Sequence, residues 1–166
     1  GLFLAAAIVA ACLDSTPRPS GSVSSGSGDP VAAVLCDQAT RALAIGRHLE
    51  AARDALARLD EPALVAESGE AARIARLIQG ELQGLGADAA NASPGNSPTD
   101  DAIILGLVSV ASWGSASGRL FEGGLAPVPP SEREEWRAFF GAGLGALDEL
   151  GRRYANAGLG ACWEVP

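Results

Sequence analysis

The 166-residue sequence contains no Met and no Lys, and all twelve of its cationic side chains are Arg. It has one His, three Cys, and only three Trp, one Tyr and four Phe. Each scarcity removes a chemistry. The single His and the three Cys lie at positions 12, 36, 48 and 162, far from the spacing of a Cys/His zinc site. No Glu-x-x-His occurs, which excludes the ferritin-like di-iron arrangement. Haem attachment lacks its Cys-x-x-Cys-His signature, and without Met a His/Met-ligated haem bundle is excluded. Neither a Gly-x-Ser-x-Gly elbow nor a phosphate-binding loop is present. A formal charge of −8 argues against a broad nucleic-acid surface, which needs clustered cations to displace counterions. The sequence therefore predicts no catalytic residues, no metal, no cofactor and no nucleic-acid partner. The missing initiator Met predicts a processed or partial chain.

Residues 2–11 read LFLAAAIVAA, an uncharged run followed at once by Cys12. As a helix this run would rise roughly 16 Å, about half a bilayer core, which suits the apolar region of a signal peptide but not a membrane span. Residues 15–30 read STPRPSGSVSSGSGDP, with almost nothing to bury, so a flexible tether is expected. Its root-mean-square reach is roughly 20–25 Å.

The stretch Val9-Ala10-Ala11-Cys12 resembles the lipobox of bacterial lipoproteins: an aliphatic residue, two small residues, then Cys. The resemblance implies that the chain is cut before Cys12 and that the Cys12 thiol carries a diacylglycerol. The basic segment that opens such signals is missing before Leu2. The match spans about the first 30 residues and implies processing and membrane attachment, not an activity. The expected organisation is a signal remnant over 1–11, the lipidated Cys and tether over 12–29, and a folded domain over 30–166.

The folded part reads as all-α. From Ala42 the apolar positions Ile45, Leu49, Ala52, Leu56 and Leu59 follow in steps of 3, 4, 3, 4 and 3, the period of a packed helical seam. Asp29-Pro30 offers a cap and a first-turn Pro for this helix. Asp60-Glu61-Pro62 then starts a second helix with Leu64, Ala71, Ile74, Ala75, Ile78, Leu82 and Leu85 on one side. A break is expected over residues 86–97 and a third helix over 98–121, whose uncharged 102–118 section should be the most buried. After the Gly/Pro-rich stretch 121–130, Ser131-Glu132-Arg133-Glu134 fits a capping box for a last helix reaching about Leu159. Trp136, Phe140, Leu147, Leu150 and Tyr154 mark its apolar side. No segment alternates in the strand sense, so the expected fold is an up-down-up-down four-helix bundle.

With Cys12 taken by lipid, Cys36 and Cys162 remain for a disulfide, an expectation strengthened by the oxidising compartment that export implies. Three chain reversals bring the start of the first helix beside the end of the fourth, which suits that pair. His48 reads as a structural or solvated side chain, and Glu132, Glu134 and Glu135 as helix-dipole chemistry. Asn91-Ala92-Ser93 matches a glycosylation sequon that means little in a bacterial lipoprotein. Gly80/Gly84, Gly114/Gly118 and Gly141/Gly145 repeat at four-residue spacing. Helix-interior Gly costs roughly 1 kcal/mol against Ala, so close helix packing is expected at all three.

These features imply a non-enzymatic binding or scaffolding domain, lipid-anchored on the extracytoplasmic side of a bacterial envelope, at the outer membrane or cell surface. The partners are the membrane and another envelope protein. The apolar loop holding Leu125, Pro127, Val128 and Pro129 is the candidate docking edge, unless it folds back to cap the core. Two alternatives stand beside this reading. One is a carrier of a small apolar ligand, in a cavity lined by Ile104, Val108, Phe139 and Leu147. The other is insertion of the third helix into lipid. The anchor is the most directly testable expectation: Cys12→Ser should move the protein from the membrane to the soluble fraction and remove the lipid mass from the mature chain.

Overall fold

The computed structural model describes residues 30–92, 98–124 and 126–164. Residues 1–29, where a signal remnant, a lipidated Cys12 and a tether are expected, and Leu125 lie outside the described residues, so those expectations are carried by sequence alone. Among the described residues four α-helices form the fold: α1 (Pro30–Arg58), α2 (Glu61–Ala92), α3 (Pro98–Glu122) and α4 (Arg133–Asn156). A short 3-10 helix, Gly160–Trp163, follows α4. No strand occurs among the described residues. Each helix runs antiparallel to the one before it, as cross-helix pairs show: Arg41 with Glu81 and His48 with Glu67, Ser117 with Ser68, and Arg153 with Ala102. The chain is an all-α four-helix bundle.

The periodic seam of α1 is the core. Leu35, Ala42, Ile45, Leu49, Ala52 and Leu56 are all buried. Leu59, the last step of that seam, is 59 % exposed. It sits one residue past α1 with φ 59°, where the Leu59 N–H bonds the Leu56 carbonyl and the Asp60 N–H bonds the Ala55 carbonyl. That is a Schellman stop, a position at which glycine is the usual residue. Gly158, with φ 76°, fills the same role after α4 and ends that helix short of Leu159. Asp60 then accepts the Ala63 N–H at 3.2 Å and caps α2, so one residue closes one helix and opens the next.

Two expected boundaries differ. α2 continues through residues 86–92, so the break is shorter than the Gly and Asn content suggested. The capping box at Ser131 does not form. Pro129 and Glu132 close a turn (Glu132 N–H to Pro129 carbonyl, 2.9 Å), α4 begins at Arg133, and its cap Glu132 makes no side-chain bond to the helix.

The helices are not evenly spaced. α1 and α3 touch across the bundle diagonal, whereas no described residue of α2 comes within 8 Å (Cα–Cα) of α4. Gly114 explains the short diagonal. A Cβ there would lie 3.0 Å from the Ala71 carbonyl oxygen, 3.1 Å from Ala75 Cβ and 3.2 Å from Ile45 Cγ2. Gly118 meets Ala72 in the same way, and Ser117 Oγ donates to the Gly114 and Ser68 carbonyls at 2.6 and 3.2 Å. α3 is thus held against both α1 and α2 by residues with little or no side chain.

By length and composition α3 could also cross a membrane, yet half of its apolar window is buried inside the bundle. Its outer face carries the exposed Leu105 and Val108 beside Ser109 and Ser112.

The other two glycine pairs do not pack. A Cβ at Gly80, Gly84, Gly141 or Gly145 would meet nothing within 4 Å, contrary to the close packing expected of them. Identical spacing therefore has opposite consequences, and matched substitutions separate them. Gly145→Ala should raise unfolding stability by about 1 kcal/mol. Gly118→Ala, whose new methyl would lie 2.7 Å from Ala72 Cβ, should lower it by about 1–2 kcal/mol. Urea unfolding of the two variants checks both signs.

Candidate functional site

Two features of the bundle concentrate chemistry: a clasp where α1 begins and α4 ends, and an aromatic groove between α3 and α4.

The clasp starts with the disulfide. Cys36 and Cys162 are bonded, with their Cα atoms 5.0 Å apart, as the topology required. The link closes a loop of 126 residues. In the chain-entropy account, such a loop contributes nearly 5 kcal/mol. Tyr154 reinforces it from α4. Its buried hydroxyl donates to the Leu35 carbonyl at 2.5 Å, and its ring stacks on Trp163 at 5.1 Å and 28°. Gly151 makes room for that indole, since a Cβ there would lie 2.5 Å from Trp163 Nε1. Burial pushes the Tyr154 phenol well above its ordinary value. Beside it, hydrogen bonds and charge from Arg152 and Arg153 hold the exposed Glu149 carboxyl below the usual carboxylate range. Arg153 also spans to α3, donating to the Ala102 carbonyl at 2.8 Å.

At the far half of α4, Trp136, Phe139 and Phe140 gather with Trp113 of α3, four of the eight aromatic residues in the chain. Phe139 contacts Trp113, Trp136 and Phe140, with ring centroids 4.9, 5.1 and 5.5 Å away and edge-to-face geometry in each case. Such pairs add about 0.5–1.5 kcal/mol each beyond burial. Gly143 lets α4 approach α3 here: its backbone sits against Trp113 and Leu49. Phe140 is fully buried, whereas Trp113, Trp136 and Phe139 keep part of their surface open. Trp136 and Phe139 form the floor of an open groove of about 340 Å³, with Ala116 and Arg119 on α3, Glu135 on α4 and Glu132 at its N-cap.

The loop before α4 behaves differently from a docking edge at one residue. Val128 is buried, in a small space of about 20 Å³ shared with Ala55, Leu56 and Leu64. Its carbonyl is held by Arg133 Nε at 3.3 Å. Pro127 and Pro129 are exposed, and Leu125 lies outside the described residues. Val128 therefore caps the core and is removed from the candidate docking edge. Of the four residues expected around an apolar cavity, only Phe139 lines the groove. Leu147 fills the space beside Gly46 of α1, and Val108 is 46 % exposed on the outer face of α3.

His48 Nδ1 lies 2.6 Å from Glu67 Oε2, a partly exposed polar pair between α1 and α2. Glu134 pairs with Arg137, and no cluster of three metal-ligating side chains exists among the described residues.

Sequence reasoning placed Trp136 in the helix-four seam but missed the groove, whose signal was the pair of carboxylates one turn ahead of its rings. Comparison of the chain with protein-family models, with curated proteins and with solved structures gave no match.

The Tyr154 environment sets a pH dependence with a definite sign. An unfolded tyrosine ionises near pH 10, and the buried one does so only at higher pH, so the native state retains its proton longer. The associated stability is complete below about pH 10 and falls, at about 1.4 kcal/mol per pH unit, as the pH rises beyond it. Tyr154→Phe should abolish that fall. Because the chain has one Tyr, ultraviolet titration of the phenolate gives an independent reading of the same group.

Proposed function

We propose that this chain is a lipid-anchored protein of the bacterial envelope, displayed on the extracytoplasmic side, whose helical domain binds another envelope protein through the α3/α4 groove. The observation that carries the binding role is the groove itself. In a chain with so few aromatic residues, Trp136 and Phe139 are left partly open on its floor although α1, α2 and α3 close tightly. Partly open aromatic surface with a polar rim is the usual composition of a docking patch.

The anchor rests on Val9-Ala10-Ala11-Cys12 and the Ser/Gly/Pro stretch behind it. The Cys36–Cys162 bond supports an oxidising compartment. The absence of a nucleophile–base motif in the sequence supports binding in place of catalysis. The lipidated end of the chain leads into α1, which begins at the clasp. The groove lies at the opposite half of α4, so an anchored domain would present it away from its attachment point.

Photo-crosslinking in the membrane-bound protein tests this assignment. A crosslinkable residue at Ala116, in the groove, should capture one discrete partner, and Trp136→Ala/Phe139→Ala should abolish the product. The same residue at Leu77, exposed on α2, should not capture it. Equal capture from both positions, or none from Ala116, would contradict the groove as the binding surface.

A further inference from the structure

The groove carries more information than its apolar floor. Several carboxylates along the helices of this chain are answered by an Arg three or four positions later. Glu70 meets Arg73 at 2.8 Å, Glu134 meets Arg137 at 2.7 Å, and Glu149 meets Arg152 and Arg153 at 2.7 and 3.3 Å. Glu132 and Glu135 are not so answered. Both are exposed, neither makes an ion pair, and the positions four residues on hold Trp136 and Phe139.

An i, i+4 pair of carboxylate and ring lies on one helical face. Each pair offers an acceptor of negative charge beside the negative face of a π system, and both attract the same kind of group. Arg119, on the opposite wall, forms no ion pair with either carboxylate and leaves them available. We infer that the groove recognises a cationic peptide segment of its partner, with an Arg or Lys side chain seated between Glu132/Glu135 and the rings of Trp136/Phe139. This deepens the proposed binding role and rests on it. The acidic balance of the chain favours such a partner at longer range as well.

Two end-blocked peptides, Gly-Arg-Leu-Arg-Gly and Gly-Glu-Leu-Glu-Gly, titrated into the full chain provide the test, with the Trp136 indole N–H resonance as readout. The arginine peptide should shift that resonance and the glutamate peptide should not. Glu132→Gln/Glu135→Gln should weaken the arginine peptide by about tenfold or more, whereas Glu134→Gln, on a carboxylate already paired with Arg137, should leave it unchanged. Equal response to both peptides, no response to either, or an unaltered affinity in the double Gln variant would overturn the inference. So would a resonance that moves on Arg18→Ala alone, because the chain's own Pro17-Arg18-Pro19 would then be the occupant. Crosslinking from Ala116 separates the two levels of the account. If the partner product survives in the double Gln variant but not in Trp136→Ala/Phe139→Ala, the cationic inference fails and the docking role stands.

Discussion

The approach of α3 to α1 and α2 at Gly114 is the constraint on which the rest of the bundle depends. With no side chain at that position, three backbones converge around Ala71, Ala75 and Ile45. The convergence shortens one diagonal of the bundle: among the described residues α1 touches α3 across it, whereas α2 and α4 do not touch. At that contact α3 meets α1 and α2 through Gly114, Ala71, Ala75 and Ile45. Four of the aromatic side chains, Trp113, Trp136, Phe139 and Phe140, gather where the start of α4 packs on α3. The groove opens beside that cluster, where Trp136 and Phe139 keep part of their surface exposed.

The two ends of α4 then have different roles. Near Tyr154 the helix is fixed by a covalent bond through Cys162, a buried hydrogen bond to Leu35 and a stacked indole. Near Glu132 its start lacks a side-chain cap and is held by Val128, Phe140 and the ring contacts of Phe139. A helix clasped at one end and exposed at the other can present a binding edge without risking the fold. In the proposed anchored state, the clasped end adjoins the tether and the groove faces the partner.

Much of this was legible in the residues. The step pattern from Ala42 to Leu56 identifies the buried stripe of α1 because period alone sets which side chains face inward. Cys36 and Cys162 pair because an even number of antiparallel passes returns the chain to its starting end. What period cannot supply is phase relative to neighbours. Gly114/Gly118 and Gly141/Gly145 have the same spacing, yet one pair faces a neighbouring backbone and the other faces solvent. Leu59 fits the seam arithmetic but falls beyond the last helical residue, where the left-handed turn points it outward. Ser131 resembles a cap, but the Pro129 turn moves the helix start past it. The carboxylates of α4 read as dipole chemistry until Glu134 proves to be paired and Glu132 and Glu135 do not.

Native-state hydrogen exchange tests the central claim most directly, because it compares the two sides of the bundle residue by residue. If the glycine contact fixes the fold and the uncapped start of α4 is its open edge, amides flanking Gly114, Ala75 and Ile45 should exchange only through global unfolding. Those between Trp136 and Phe140 should exchange faster, through local opening. Equal protection along all of α4 and around Gly114, or slower exchange at Trp136 than at Gly114, would contradict it.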